Sequence, residues 1–530
     1  MHRIIARRAH EASAPRVDRN PAIVSSFLND AAHVPGGFAP GVAFPKTLEE
    51  VAALVRGAER VLPVGAQSSL TGGATPRGEL VLSTRALSTI GDFVGPVLSA
   101  FAKATADRRS SPEASGGWLD RPDGYHTIRV GAGVPLTALQ RTLSASRLYY
   151  PPVPTFEGAF VGGTISTNAA GAATFKYGST RPWVAGLTVV LANGDVLDIA
   201  RGDAIASSEG VFEVQLTAGD TIAITIPTYR MPDVAKLSAG YYACPAMDLI
   251  DLFIGSEGTL GVIVEATLRL IPRPRRAVAL IRCDDDGQAV AVTGALRGEP
   301  MVSAIEYMDA RALRVVPDEI FTRTGISRPD GESVLLMAQI EIESDEAAVF
   351  ERLQEMLDSC GVRDEATIAA PDDERGAQRL FELREAVPAS VNALVAAAKR
   401  AHPGVEKTAG DMVVPFPRLA ESIALYRQAF ESRGLEYAIW GHVSDGNLHP
   451  NLIPRTLDDM NRGREAILEI ARGVIGMDGA PLAEHGVGRS ALKQRLLREL
   501  YGEAGIEQMR AVKRALDPDW KLAPGVLFSA

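Results

Sequence analysis

Residues 61–74, VLPVGAQSSLTGGA, decide how this chain is read. A short β-branched run, Val61 to Val64, ends in a loop of glycines and hydroxyl residues. Glycines let backbone N–H groups approach an anionic ligand closely, and the hydroxyls of Ser68, Ser69 and Thr71 can donate to its oxygens. The spacing is neither a P-loop nor GxGxxG. Alone, the segment is as well read as a flexible surface loop. Two others change the balance. Residues 162–171, GGTISTNAAG, follow the proline-rich run 151–155, PPVPT, and residues 254–263, IGSEGTLGVI, again alternate small residues with hydroxyls and amides. Such chains can lie flat against a large planar ligand. Three of them in one half of the chain point to one extended cofactor rather than one phosphate.

Around these segments the pattern is mixed α and β. The run KTLEEVAALVRGAERV reads as an amphipathic helix opened by Thr47, and ELVLS as the next strand. Residues 91–123, polar and rich in Ser and Ala, break the rhythm and read as a mobile insertion. Short β-rich runs dominate 185–271. The prolines at 272–274 read as a domain boundary. Beyond them strand-like runs (AVALIRC, VLLMAQIEI) alternate with helical ones at 348–360, 376–400 and 416–433, which predicts an antiparallel sheet covered by helices, an α+β layer. The resulting division is a leader over 1–40, a cofactor domain over 41–275, a second domain over 276–487 and a helical C-terminal segment over 488–530. The basic start lacks the apolar core of a signal peptide and reads as a disordered leader, with organellar import kept open.

At 530 residues with 46% hydrophobic and 23% charged, the chain is of ordinary globular composition. Its net charge of −10 gives no reason to expect nucleic acid as a partner. Three scattered cysteines, Cys244, Cys283 and Cys360, are too few for an in-chain iron–sulfur cluster, which takes about four thiolates, and argue against a disulfide framework. No stretch is apolar enough to span a membrane. The expectation is a cytoplasmic protein, with peripheral attachment to a membrane also open.

Three of only eight histidines fall within 442–485. In GHVSDGNLH (441–449) the Asp-Gly pair signals a hairpin. If Ser444 to Asn447 form the turn, His442 faces His449, and directly opposed residues share a face. Two imidazoles so placed can share a metal ion, and Glu484 of EHGVG (484–488) can supply a third ligand. Two histidines and a carboxylate suit Zn²⁺, Mn²⁺ or Fe²⁺. The plainer reading is hydrogen-bonded core histidines.

PVGAQSSLTGGA, VGGTISTNAAG with KYG at 176–178, and FIGSEGTLGVI together resemble the PCMH-type FAD-binding domain of vanillyl-alcohol oxidase-type flavoproteins. The closest branch contains D-lactate dehydrogenases, glycolate oxidase flavin subunits and D-2-hydroxyglutarate dehydrogenases. The resemblance implies an FAD domain of two α+β subdomains plus a substrate (cap) domain. It assigns FAD contacts to Pro63, Gly65, Gln67, Ser68, Ser69, Thr71, Gly72 and Gly73 in the first segment. In the second it assigns them to Pro154, Thr155, Gly162, Gly163, Thr164, Ser166, Thr167, Asn168 and Gly171. In the third they are Gly258, Thr259, Gly261, Val262 and Ile263. Relatives outside this branch carry a flavin-linked His in the first segment; here Gln67 and Ser68 stand nearby, so FAD is expected to be non-covalent.

The same resemblance implies His442, His449 and Glu484 as metal ligands, with zinc first and manganese or iron as the alternatives, and His485 as the active-site base. An α-hydroxy acid needs a cation for its carboxylate. Arg384 in LREAVP is the candidate, with Lys407 a weaker second and Asn447 and Lys521 as further lining. Dicarboxylate enzymes of the branch tend to offer a hydroxyl one turn after the Arg, where this chain has Pro388. The expected reaction is FAD-dependent oxidation of a small D-2-hydroxy acid, lactate- or glycolate-like, with hydride passing to flavin N5 and electrons then leaving to a quinone, an electron-transfer protein, oxygen or an iron–sulfur partner subunit. The rivals are an alkylglycerone-phosphate synthase-type FAD enzyme, a flavin subunit active only within a larger electron-transfer complex, and a metal-dependent hydrolase with structural glycine loops.

Overall fold

The computed structural model describes residues 3–97, 125–343, 345–362 and 366–529. The first subdomain is a four-stranded sheet in the order Val17–Asp18, Val42–Ala43, Leu80–Ser83, Val61–Val64, its last three strands parallel. The helix Leu48–Gly57 makes the crossover. Thr47 Oγ1 accepts the amide of Glu50 at 3.2 Å, and the Glu50 carboxylate accepts the amide of Lys46 at 2.7 Å, so the start of the helix is closed in both directions. Val51, Ala52, Leu54 and Val55 form its buried face.

The second subdomain is an antiparallel sheet in the order Arg7–Arg8, Asp195–Ala200, Val184–Val190, Val262–Pro272, Tyr125–Gly131, Ile90–Val97, with Leu148–Tyr149 added on Val262–Pro272. Its edge corrects the expectation of a disordered leader. Ile4–Ile5 pairs in parallel with Val214–Gln215, and Arg7 and Arg8 pair with Val196 and Asp195. The cause is legible afterwards: Ala6 and Ala9 are buried, and the Arg7 guanidinium meets the Asp198 carboxylate at 2.5 Å. The insertion expected over 91–123 begins as strand through Val97; its remainder lies outside the described residues.

The second domain holds seven antiparallel strands in the order Thr367–Ala369, Arg276–Cys283, Val334–Glu341, Val302–Met308, Tyr437–His442, Asn447–Leu452, Met412–Val413. Strand alternation divides its apolar residues between two faces. Val278, Leu280, Leu335 and Met337 pack against Leu380, Leu383, Val387 and Val391 of the helix Glu374–Ala401. Ala279, Ile281, Leu336 and Ala338 face the other way, into a core that includes the helices Asp286–Arg297, Glu346–Ser359 and Leu419–Glu431. A buried polar knot joins the domains. Lys176 and Tyr177 of the KYG segment reach Glu341 of the cap sheet at 2.7 and 2.5 Å, so both of these side chains bridge the domains.

After the helical segment Ala491–Leu516, broken at Gly502, the chain returns to the first subdomain. Val61 donates to the carbonyl of Lys521, and Ala523 to that of Val61, both at 2.8 Å. Lys521 Nζ donates to the Val55 carbonyl at 3.0 Å, at the end of helix Leu48–Gly57 and outside the cleft described next.

Candidate active site

The three glycine-rich segments converge. They wall one cleft of about 290 Å³, at the lower end of the ~300–1,000 Å³ of a small-ligand pocket. Of the residues expected to touch FAD, Pro63, Gly65, Gln67, Ser68, Ser69 and Gly73 line it from the first segment, Pro154, Thr155, Gly162, Gly163, Thr164, Ser166 and Thr167 from the second, and Gly258, Gly261 and Ile263 from the third. Thr71, Gly72, Asn168, Gly171, Thr259 and Val262 do not line it. Each has a structural reason. The Thr71 hydroxyl lies 3.1 Å from that of Ser69, and Gly72 turns at φ +76° against Val34. Asn168 Oδ1 accepts the Arg181 amide at 2.9 Å, and the Thr259 hydroxyl donates to the Ser256 carbonyl at 2.6 Å. Gly171 is pressed on the Val153 carbonyl, and Val262 is a buried strand residue.

The site's second part grows from the hairpin. Gly446 stands at φ +77° where a Cβ would lie 2.1 Å from the Val414 carbonyl, so the sharp turn needs glycine. The register differs from the expected one: His442 opposes Asn447, and His449 opposes Trp440. The loop is Val443 to Gly446. Because the shift is an even number of residues, His442 and His449 still share a face, diagonally. Their ring centroids are 5.7 Å apart and nearly perpendicular.

Glu484 sits between them. Its Oε2 is 3.4 Å from His442 Nε2, and its Oε1 is 3.3 Å from His449 Nε2 and 3.4 Å from His485 Nε2. A tetrahedral ion with bonds of about 2.0–2.1 Å separates its donors by roughly 3.3–3.4 Å, which is the distance from a Glu484 oxygen to each of the three imidazoles. His442 Nδ1 is 2.8 Å from Glu306 Oε1, the carboxylate support usual behind a metal-binding imidazole. His449 Nδ1 is buried without a hydrogen bond, 3.6 Å from Asp411 Oδ1. A tighter grouping of donor atoms, all within 4.8 Å of one another, takes Asp411, His449, Glu484 and His485 and omits His442. In that grouping Asp411 Oδ2 also accepts the amides of Glu484 and His485 at 3.0 and 2.9 Å.

Charge shapes these groups. Burial would lower the His442 pKa, but Glu306 and Glu484 outweigh it and lift it to about 9. Burial drives His449 down to about 4 against the pull of Glu484. Burial would raise Glu484, yet Lys236 and His442 hold it well below the usual carboxylate range. Lys236 is fully buried, 3.0 Å from Asp445 Oδ2 and 3.1 Å from Glu484 Oε2.

A model described as the FAD binding domain matches residues 118–200, and one described as FAD linked oxidases, C-terminal domain, matches residues 272–527. Glycolate oxidase subunit GlcD of Bacillus subtilis is 30% identical over 409 residues, 76% of this chain and 75% of that protein. The D-2-hydroxyglutarate dehydrogenase of Xanthomonas citri is 30% identical over 502 residues, 92% of this chain and 89% of that protein.

The chain belongs to the FAD-linked oxidase family. It is an FAD-dependent oxidoreductase of mixed α/β fold, with the PCMH-type FAD-binding domain. A D-lactate dehydrogenase of Archaeoglobus fulgidus is 29% identical over 499 residues, 91% of this chain and 90% of that protein. An alkyldihydroxyacetonephosphate synthase structure shares the fold at TM-score 0.58 and 14% identity, covering 96% of this chain and 82% of that one. No helix among the described residues is long and apolar enough to cross a membrane.

The cleft suits the FAD of such an oxidase. A Cβ on Gly163 would meet nothing within 4 Å, so the backbone there faces open space. Leu70 and Phe156, both lining residues, are exposed as they stand, which leaves apolar surface for a planar ring to cover. Among the described residues the lining holds no Cys or Tyr, and His485 is its one His.

The expected substrate residues fare unequally. Arg384 is buried, with Nε and Nη2 at 3.2 and 3.1 Å from Glu306 Oε2, so the two N–H groups of Nη1 and the second of Nη2 are left to offer. Asn447 donates to Asp411 and to the Met412 carbonyl, and its buried Oδ1 has no donor. Lys407 is exposed and makes no ion pair among the described residues. Glu306, Asp411, Lys236 and Asp445 were missed from sequence. Glu306, Asp411 and Lys236 are charged residues beside apolar ones, such as Glu306 in the wholly buried strand VSAIEYM, and Asp445 belongs to the hairpin turn.

Proposed function

We propose that this oxidase acts on a small D-2-hydroxy acid with one carboxylate, held between the FAD cleft and a divalent metal, zinc first. One observation carries the reading: Glu484 and His485 belong both to the cleft lining and to the histidine–carboxylate cluster, so the two parts form one site. When bound, FAD supplies a two-electron acceptor, and the metal supplies a Lewis acid held by His442, His449 and Glu484.

The chain's own residues do the rest. Arg384 Nη1 takes the carboxylate, kept in place by the grip of Glu306 on the other two nitrogens. His485 Nε2 accepts the proton of the C2 hydroxyl, the role natural to an imidazole near neutral pH. Pro388, one turn beyond Arg384 inside the helix Glu374–Ala401, has no side-chain donor for a second carboxylate. Names of the relatives favour a 2-hydroxy acid: glycolate, lactate and 2-hydroxyglutarate are the acids they name.

The test is anaerobic mixing of the yellow protein with a panel of D- and L-hydroxy acids. Rapid bleaching by D-lactate or glycolate is expected, and slower bleaching by D-2-hydroxyglutarate. A flavin left oxidised by every acid would end the reading. FAD is expected to leave with the supernatant on acid precipitation; yellow retained in the pellet would mean a covalent link.

Metal binding has its own test. Glu306→Gln weakens the support of His442 Nδ1 and should lower metal affinity about 10–100-fold, measured as metal content against graded chelator. Unchanged affinity would move the ion to the Asp411 grouping.

A further inference from the structure

One carboxylate addresses nearly every part of this site without lining the cleft. Asp411 follows Gly410 at the entry to the strand Met412–Val413 and has no exposed surface. Its Oδ2 accepts the amides of Glu484 and His485 at 3.0 and 2.9 Å and lies 3.1 Å from His485 Nδ1. Its Oδ1 accepts from Asn447 Nδ2 at 3.2 Å. Lys493 Nζ stands 3.7 Å from Oδ2, near enough to balance its charge.

We propose that Asp411 is the positioning residue that makes His485 a base rather than a ligand. The argument rests on the reading of His485 above. A carboxylate facing Nδ1 draws the proton to that nitrogen and leaves the lone pair on Nε2. The two backbone bonds fix the peptide from which the ring projects, so ring and backbone are oriented by the same oxygen. The His485 side chain keeps 28% of its surface exposed and lines the cleft, while Asp411 has no exposed surface and does not line it, so the ring and not Asp411 is within reach of the substrate. Asn447, held by the other oxygen, is set in the same frame. Asp411 therefore acts through His485 and does not touch the substrate.

The experiment uses the FAD- and metal-loaded protein and the acid that bleaches it fastest. Flavin reduction is followed for Asp411→Asn, His485→Ala and the double variant, with metal and FAD content measured on each. Asp411→Asn is expected to slow reduction at saturating substrate about 10–100-fold, the scale of a misplaced catalytic group, with substrate affinity and metal content within about twofold. The double variant should be no slower than His485→Ala, because a residue acting through another adds nothing once that one is gone. If Asp411→Asn does not fold, Asp411→Glu carries the same comparison. Asp411→Asn reducing at the unmodified rate, or losing its metal, overturns the proposal while leaving His485 as base. His485→Ala reducing at the unmodified rate overturns the base reading itself.

Discussion

Flavin reduction in the His485→Ala protein is expected to be 10²–10⁴-fold slower than in the unmodified chain, the usual contribution of a positioned acid–base group. That is about 3–5 kcal/mol of barrier. The loss should fall on the rate and not on binding. His485 makes no contact with Arg384, and Glu306 holds that guanidinium independently of the EHGVG loop. Nor should the loop collapse. Both Glu257 oxygens accept its amides, from Val487 and Gly488, at 2.8 Å each, and Arg489 N donates to the Thr71 carbonyl at 2.9 Å. These bonds come from backbone that the substitution leaves alone. Burial pushes the Glu257 carboxyl up to about 7 despite the two amides, so the comparison belongs at a pH above that value, where the clamp is ionised in both proteins. Stopped-flow bleaching, with FAD and metal content on the same samples, decides it. A rate within a few-fold of the unmodified protein would remove His485 from the chemistry.

How much of this was visible beforehand depends on the range of the interaction. The three flavin segments were legible because each carries its signal locally, in glycines and hydroxyls within about ten residues. Which of their residues face the cleft was not. Asn168 and Thr259 look like their neighbours in sequence, yet one caps the Arg181 amide and the other bonds the Ser256 carbonyl. The hairpin at 441–449 shows the same limit. Asp-Gly signals a turn but not which residues close it, and the register moved by two. The shared face of His442 and His449 survived, since an even slip keeps every side chain on its side of the sheet. The leader failed for a related reason: the residues that order Ile4 and Arg7 stand some 200 positions away, at Val214 and Asp198. Glu306, Asp411 and Lys236 were missed because each is defined by partners from other segments. A lone charge in an apolar run marks them as unusual without saying what they face.

Lys236 carries the largest expected effect on stability. Its ammonium is wholly buried, 3.0 Å from Asp445, 3.1 Å from Glu484 and 3.3 Å from the Gly171 carbonyl. Burial works against its charge, but the two carboxylates outweigh it and raise its pKa. Lys236→Met keeps much of the volume and removes the charge, leaving two buried carboxylates short of a cation. Breaking a buried pair in this way costs about 3–5 kcal/mol. An exposed pair gives the contrast: Arg455 with Glu436, both side chains more than half exposed, should lose little stability when Arg455 becomes Ala. Both comparisons use denaturant midpoints on metal-free protein. Repeating the measurement with metal separates the causes. A divalent ion beside Glu484 supplies positive charge to the same oxygens, so the Lys236→Met deficit should shrink when the ion is present, whereas the Arg455→Ala deficit should not change. A deficit that is equal with and without metal would mean that Lys236 supports the fold through Asp445 and Gly171 alone, and that Glu484 does not depend on it.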